Sequence, residues 1–267
     1  PGAFRTFGDF LPEGDGIIYT STARTNLHFD IYKAAIPNGE PEMIYEGEFG
    51  VYVGAISPDG KYVNFSTTVG EDSNNLYMLD IETGDVTTVS EPERRASQGG
   101  ITWKDDSSGF YFVSNMEREY QAIQYYDVAS GFTSMIASDD QADMGSLRLC
   151  GAEDRYLAWT RNVGGYSVIH VEDRVEDTML DVPELPEGVY GLSCNEEDPR
   201  IVIGVNGWRT PGSFVTWDLD TGEVHDTFIA PMAGLDPERL VRPEDVRITA
   251  RDGVELQGLL YLPDDAS

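Results

Sequence analysis

The stretch SPDGKYVNFST (Ser57–Thr67) joins a tight turn to a short strand, and related stretches recur along the chain. Its Pro-Asp-Gly core is typical of a turn, and the alternation from Tyr62 to Phe65 is typical of a strand with one buried face. Four other segments follow the same pattern: LPEGDGIIYTS from Leu11, WKDDSSGFYFVS from Trp103, GAEDRYLAWT from Gly151 and NEEDPRIVIG from Asn195.

The copies keep a nearly constant period. The residues just before the five turns are 46, 47, 47 and 44 residues apart: Phe10, Ile56, Trp103, Cys150 and Cys194. A second marker is an aspartate that ends an apolar run before a glycine turn. It occurs at positions 47 and then 91 residues apart: Asp80, Asp127 and Asp218. The intervening unit, SVIHVEDRVEDTML, is a degenerate copy. Two independent markers with one period indicate a structural repeat.

Each repeat predicts four short antiparallel strands, which at this period is typical of a β-propeller blade. We therefore predict an all-β fold, a β-propeller of four-stranded antiparallel blades over residues 1–240, with repeats that start near residues 10, 56, 103, 150 and 194. Five repeats are visible. The first residues, PGAFRTF, are interpreted either as the last strand of a further blade or as the strand that closes a smaller ring.

The end of the chain does not fit the repeat. VRITARDGVELQGLLYLPDDAS (Val246–Ser267) predicts a strand, an Asp-Gly turn and a second strand, and no turn marker lies near residue 240, where the period would place one. We predict that residues 241–267 form a linker and the first hairpin of another domain. The alternative is a last propeller strand that closes the ring.

Two resemblances follow from these segments. SPDGKYVNFST and SSGFYFVSNMERE resemble the repeats of TolB-type propellers and of the propellers of the prolyl oligopeptidase family of serine peptidases, which includes acylaminoacyl and dipeptidyl peptidases. ERLVRPEDVRITARDGVELQGLLYLP (Glu238–Pro263) resembles the passage from propeller to α/β-hydrolase domain in that peptidase family. The matching elements are the Arg-Pro-Glu lead-in, the Asp252-Gly253 turn and the strand over residues 258–263.

The second resemblance implies a function. The propeller would cap a C-terminal α/β-hydrolase domain that is absent from this chain and would restrict entry to short peptides, which a Ser-His-Asp triad in that domain would cleave. The chain alone is then expected to be inactive, with the hydrolase domain and a short peptide as its partners. The alternative is a stand-alone TolB-like propeller that mediates protein–protein interaction.

The charge balance is extreme, with 48 acidic and 18 basic residues and a net charge of -30. The acids are spread along the whole chain, and only three of the basic residues are lysine. Because salt screens such self-repulsion, we predict a halophilic protein. Nucleic acids and anionic membranes are not expected as partners, since both need a basic face. No apolar run approaches the roughly 18 residues of a membrane span, and we expect a cytoplasmic location.

No motif of the chain predicts catalysis, a cofactor or a metal site. GLSCN (Gly191–Asn195) lacks the second glycine of a Gly-x-Ser-x-Gly nucleophile elbow and lies in a predicted blade strand. DLDTGE (Asp218–Glu223) lacks the order of an EF-hand loop and is interpreted as a turn. Cys150 and Cys194 occupy equivalent positions in neighbouring blades. They should lie close together, and we interpret them as small buried residues rather than as a disulfide framework.

Candidate functional residues lie in the loops between the second and third strands of each repeat. Four antiparallel strands bring the chain into and out of a blade on one face, so these loops share that face with the C-terminal hairpin. Substrate- or domain-facing candidates in the predicted loops are Arg24, Arg118, Glu119, Arg161, Trp208 and Arg209. Arginine suits carboxylate recognition through its fork of donors. The other interpretation is that these arginines brace their own loops.

Overall fold

The computed structural model of the chain describes residues 2–195 and 197–263. In this part, twenty strands form five antiparallel sheets of four strands each, and the last two strands form a separate hairpin. Within every four-stranded sheet the strands lie side by side in chain order. The all-β prediction and the four-stranded repeat are confirmed.

The strand bounds follow the predicted period. The first sheet comprises β1 (Arg5–Phe10), β2 (Gly16–Ser21), β3 (Asp30–Ala35) and β4 (Glu42–Tyr45). The second comprises β5 (Val51–Ile56), β6 (Tyr62–Gly70), β7 (Ser73–Asp80) and β8 (Val86–Ser90). The third comprises β9 (Gln98–Trp103), β10 (Gly109–Ser114), β11 (Ala122–Asp127) and β12 (Thr133–Ala137). The fourth comprises β13 (Met144–Cys150), β14 (Tyr156–Val163), β15 (Tyr166–Asp173) and β16 (Thr178–Met179). The fifth comprises β17 (Val189–Cys194), β18 (Arg200–Asn206), β19 (Ser213–Asp218) and β20 (Val224–Phe228), and the hairpin β21 (Glu244–Thr249) and β22 (Glu255–Leu260).

Both sequence markers fall at strand ends. Each residue that precedes a turn is the last residue of the first strand of its sheet, and each marker aspartate is the last residue of a third strand. The Asp80 carboxylate accepts hydrogen bonds of 3.0 Å from the backbone N–H groups of Glu82 and Thr83. In the degenerate fourth copy, Asp173 caps its turn in the same way, from the N–H groups of Val175 and Glu176. The aspartate therefore recurs because it satisfies the backbone of the turn between the third and fourth strands.

The chain packs as two compact units, Pro1–Gln141 and Ala142–Ser267. In the first unit, one apolar cluster joins the first and second sheets and another joins the second and third sheets. In the second unit, the fourth and fifth sheets share a cluster that includes Tyr156, Ile203 and Trp217. The second sheet therefore buries apolar side chains on both faces, as a blade of a propeller does. The predicted boundary at residue 240 is not tested by this division, and residues 264–267 of the predicted second segment lie outside the described residues.

The first strand corrects one interpretation. Arg5–Phe10 is the first strand of the first sheet and pairs with β2. The segment PGAFRTF therefore contributes to the first strand of a sheet, and it is not the outermost strand of a further blade or of a closing one. The reason is register, because Arg5 pairs with Ser21 and Phe10 with Ile17 in the same antiparallel ladder.

The two cysteines also differ from the interpretation given above. Cys150 and Cys194 form a disulfide, with their Cα atoms 5.2 Å apart. They were predicted to be close, since both end the first strand of their sheet, but not to be bonded. The bond forms because β13 and β17 are neighbours in one apolar cluster, which brings the two Cα atoms within the separation that a disulfide spans.

Two further local predictions have clear outcomes. Ser193 of the GLSCN segment lies inside β17, paired with Val202 of β18, so it does not occupy a strand-to-helix elbow. The Asp252-Gly253 turn is confirmed, with Gly253 at φ 89°. The second strand of the hairpin, however, covers Glu255–Leu260 rather than residues 258–263, because its pairing starts at Glu255 opposite Thr249.

Candidate functional site

The loops between second and third strands were predicted to carry the site residues, and two of these loops are only two residues long. In the second sheet only residues 71–72 separate β6 from β7, and in the fourth sheet only Gly164 and Gly165 separate β14 from β15. Arg161 consequently lies within strand β14 and not in a loop. It pairs with Val168 of β15. Burial lowers the pKa of the half-buried His170 imidazole, and the positive charge of Arg161 lowers it further.

Arg24 is engaged within the first sheet. Its guanidinium donates two hydrogen bonds of 2.9 and 2.8 Å to the Asp30 carboxylate, which is fully buried at the start of β3. It also donates to the Gly47 carbonyl at 3.0 Å and lies 2.9 Å from Glu46. The hydrogen bonds to Asp30 raise the pKa of Arg24. These contacts are those of a residue that braces its loop.

Arg118 has a similar environment in the third sheet. It donates to the backbone carbonyls of Tyr120 and Asp139 at 2.9 and 2.8 Å, and it lies 3.3 Å from the Asp140 carboxylate. Its side chain is only 15% exposed, and the neighbouring Glu119 is exposed. Arg24 and Arg118 thus each bind groups of their own sheet.

Trp208 and Arg209 are brought together in the fifth sheet. The Arg209 guanidinium lies over the Trp208 ring, 4.3 Å from its centroid, and 3.3 Å from the Glu238 carboxylate. The Trp208 indole N–H donates to Glu187 at 3.4 Å. Arg209 therefore contacts Glu238 of the segment that leads from β20 to the hairpin. Trp208 contacts Glu187, which is itself bonded to Arg242 of that segment.

The segment between β20 and the hairpin is held by an ion pair that the sequence analysis did not predict. Arg242 of the Arg-Pro-Glu lead-in donates two hydrogen bonds to Glu187, at 3.0 and 2.6 Å. Hydrogen bonding to Arg242 lowers the pKa of the Glu187 carboxyl. Glu187 precedes β17, 55 residues before Arg242, so local sequence patterns carry no signal for the pair. It ties the linker to the loop that holds Trp208.

The hairpin lies against the loop of the fourth sheet. A side chain at Gly165 would lie 3.3 Å from Leu259, and one at Gly164 would lie 3.3 Å from the Asp245 carboxylate. Both glycines have positive φ, 84° and 63°, which favours glycine at these positions. In this unit, therefore, the hairpin lies on the face that carries the loops between second and third strands, as predicted.

Between the hairpin and the fifth sheet lies an apolar groove of about 360 Å³. Its lining residues are Trp208, Leu240, Val241, Tyr261, Leu262 and Pro263. The hairpin itself keeps large apolar side chains in solvent, including Ile248 at 56% and Val254 at 54% exposure. This part of the molecule is suited to packing against further protein.

Among the described residues, no group of three or more His, Cys, Asp or Glu side chains is arranged to hold a metal ion. No helix within residues 2–195 and 197–263 is long and apolar enough to cross a membrane. The arrangement provides arginine side chains that hold loops within each unit and, in the second unit, a hairpin that lies against the Gly164–Gly165 loop.

Comparison with known proteins relates one segment of the chain to a family of propeller domains. Residues 45–129 match the family model of the prolyl oligopeptidase N-terminal beta-propeller domain. The matched residues are about a third of the chain and contain the second sheet and the first three strands of the third, so this segment is similar to that propeller domain. No curated protein matches the chain.

Solved structures match this propeller over most of its length. A structure from a study of two prolyl endopeptidases, concerned with inter-domain dynamics in catalysis and specificity, has a TM-score of 0.81 at 17% identity, over 98% of this chain and 40% of that one. Prolyl oligopeptidase B from Galerina marginata, bound to a 35mer hydrolysis and macrocyclization substrate, has a TM-score of 0.78 at 16% identity, over 95% and 38%. The apo form of that protein has a TM-score of 0.73 at 16% identity, over 94% and 37%. The chain thus spans about two fifths of the length of each of these structures.

Proposed function

We propose that this propeller admits short peptides to a serine peptidase, whose Ser-His-Asp triad lies in a C-terminal α/β-hydrolase domain. The observation that carries the proposal is the docked but uncovered hairpin that follows a propeller of this family. β21 and β22 pair only with each other in the described structure, and their apolar side chains remain exposed. A two-stranded hairpin is marginally stable alone, so these strands are suited to extend a larger sheet.

The position of the hairpin supports the role of the propeller. Its contacts with Gly164 and Gly165 lie on the face of the loops between second and third strands. A domain that continues from the hairpin would stand over the same face. A substrate would then pass between or through these loops, and a narrow passage admits short peptides more readily than folded proteins.

Ser193 of the Gly191–Asn195 segment lies inside a strand and does not form a nucleophile elbow, so we expect the triad in the downstream domain. A purified sample of the 267-residue chain should hydrolyse no short peptide amide, whereas the reading frame extended downstream should encode a Gly-x-Ser-x-Gly motif followed by Asp and His. The extended protein should be inhibited by a serine-reactive fluorophosphonate. Turnover by a clean sample of the chain alone would contradict the proposal. A downstream sequence without the triad would favour a stand-alone propeller that binds proteins.

We further propose that Trp208 and Arg209 contact the hydrolase domain or its substrate, because they lie beside the linker. In the complete enzyme, Arg209→Ala should change kcat/KM among peptides without changing the unfolding temperature. Arg118→Ala, whose side chain binds backbone carbonyls, is the matched control and should lower the unfolding temperature instead. Unchanged selectivity in Arg209→Ala would contradict the assignment.

A further inference from the structure

A pocket of about 280 Å³ lies between the first strands of the second and third sheets. Its walls come from β5 and β9, and its floor from Phe65 and Ser66 of β6 and Leu76 of β7. Gln98, which also lines the pocket, pairs with Ser114, the last residue of β10 before the loop to β11. The pocket therefore lies towards the same end of the sheet as the loops between second and third strands.

Gln98 lines this pocket and is 7% exposed. Its backbone N–H and carbonyl and its side-chain N–H group are all bonded to Asn74, at 2.9, 3.1 and 3.0 Å. Its side-chain oxygen, Oε1, is buried and has no hydrogen-bond partner in the described structure. An unpaired buried acceptor is costly, so this oxygen calls for a donor that the chain does not provide.

Asn64 adds a second unpaired amide beneath the pocket. It is fully buried, and neither its Oδ1 nor its Nδ2 atom has a hydrogen-bond partner among the described residues. A side chain at Gly54, which lines the pocket, would lie 3.7 Å from the Asn64 Cβ atom. Asn64 does not line the pocket, so among these unpaired atoms only Gln98 Oε1 belongs to a lining residue. An uncharged acceptor suits a neutral amide, which can donate an N–H without bringing a charge into the pocket.

Glycine keeps the pocket open. Gly54, Gly99 and Gly100 form part of its lining, and a Cβ atom at Gly99 would meet nothing within 4 Å. The volume is close to the lower limit of ligand pockets, roughly 300 Å³, so the pocket suits one amide-bearing fragment rather than a large ligand.

An exposed aromatic cluster adjoins the pocket through Tyr52, which also lines it. The ring of Phe29 lies 5.8 Å from that of Tyr52, 5.7 Å from Phe4 and 6.3 Å from Phe49. Phe4 and Phe49 are 59% and 67% exposed. Large rings left in solvent beside a polar pocket form a surface for an apolar side chain of a ligand.

We propose that this pocket and the aromatic cluster of Phe4, Phe29, Phe49 and Tyr52 form a peptide-binding subsite of the propeller. An amide of the peptide enters the pocket and donates its N–H to Gln98 Oε1, and the adjacent apolar side chain lies on the aromatic cluster. The choice of a peptide as ligand rests on the proposed function. The subsite selects peptides by an uncharged amide and an apolar neighbour, which are contacts that do not require the hydrolase domain.

The test is direct binding to the 267-residue chain, measured by calorimetry at high salt. The probe 3-phenylpropanamide should bind, and methyl 3-phenylpropanoate should bind at least about tenfold more weakly, because this ester has no N–H group and leaves the buried acceptor without a donor. Propanamide, which has the same amide but lacks the ring, should also bind more weakly. Equal affinity for amide and ester, or no binding at millimolar concentration with only water in the pocket, would overturn the proposal.

Gly99→Leu fills the pocket and should abolish binding of the amide. Gly191→Leu is the matched control, because Gly191 also lies in a first strand and has nothing within 4 Å of its Cβ position. Unchanged binding by a folded Gly99→Leu variant would contradict the subsite. If that variant does not fold, the comparison of amide and ester binding to the unaltered chain still tests the subsite. Because no readout depends on hydrolysis, a failed subsite and a failed peptidase assignment are distinguishable.

Discussion

At the scale of single residues, several arginines of this acidic chain hold loops in place through hydrogen bonds to carboxylates and backbone carbonyls. Arg155 donates to Asp173 at 2.8 Å and lies 3.1 Å from Asp220, whose carboxylate also accepts from the Tyr156 hydroxyl. Hydrogen bonds from Arg155 lower the pKa of Asp173. The contacts of Arg24 and Arg118 repeat this arrangement elsewhere, so the bracing interpretation of these two residues agrees with their geometry.

Arg24→Ala should lower the free energy of unfolding by about 2 kcal/mol, because it removes charge-assisted hydrogen bonds from a buried carboxylate. Urea unfolding measures the loss. Arg209→Ala is the comparison, since its ion pair with Glu238 is exposed and such pairs contribute at most about 1 kcal/mol. If both substitutions lowered the free energy of unfolding equally, the burial of Asp30 would not determine the size of the loss.

His170 should make stability depend on pH between about 7 and 5. Burial, followed by the charge of Arg161, lowers its pKa below the ordinary value of 6.5. Above pH 7 the His170 imidazole is neutral in both the folded and the unfolded state. As pH falls through 6.5, the unfolded state takes up a proton more readily, so stability falls. His170→Phe keeps a ring against Trp159, now 5.5 Å away, and should flatten this slope in unfolding measurements. The exposed His225→Gln variant should keep it, and an identical slope in both variants would contradict the assignment.

At the scale of elements, the disulfide joins the ends of two first strands. The loop that it closes is 44 residues long, and a crosslink of that span typically stabilises by about 2–4 kcal/mol. Urea unfolding of the chain should therefore shift to lower urea when reductant is added. The double variant Cys150→Ala/Cys194→Ala should unfold near the reduced midpoint and ignore reductant. A fully reduced chain with an unshifted midpoint would show that the fold alone holds β13 beside β17.

The docking of the hairpin can be separated from strain in the loops. Gly165→Ala and Gly212→Ala both place a side chain at positive φ, 84° and 68°, but only the first would approach the hairpin, at Leu259. Both should lose some stability. Only Gly165→Ala should speed hydrogen exchange of the β21 and β22 amides. Equal exchange in both variants would mean that this contact does not hold the hairpin.

At the scale of the whole molecule, the charge of -30 dominates. The Debye length falls from about 10 Å at 0.1 M salt to about 3 Å at 1 M, so self-repulsion among surface carboxylates is screened. The unfolding temperature should rise between 0.1 M and 2 M KCl, as the proposed halophilic character requires. A variant with several exposed glutamates changed to glutamine should rise less. An unfolding temperature that does not change with salt would contradict this proposal, and the cytoplasmic location stays a prediction.

The sequence by itself determined the repeat, the four strands of each unit and the separate hairpin. These features depend on local chemistry: turn residues, an aspartate that caps its own turn and alternation along a strand all act within a few residues. The resemblance of Glu238–Pro263 to a known passage also rested on contiguous residues. Strand ends were predicted well where a turn fixes them, as at Ile56, and less well where pairing decides, as in β22.

Only the tertiary structure decided which residues meet. The Cys150–Cys194 bond, the Glu187–Arg242 pair and the pocket at Gln98 join residues from different sheets or distant segments. Sequence placed arginines in candidate loops but could not show that Arg24 faces a buried carboxylate, since that depends on how β3 and β4 present Asp30 and Gly47. A period fixes the order of strands along the chain, whereas packing between strands fixes the partners of each side chain.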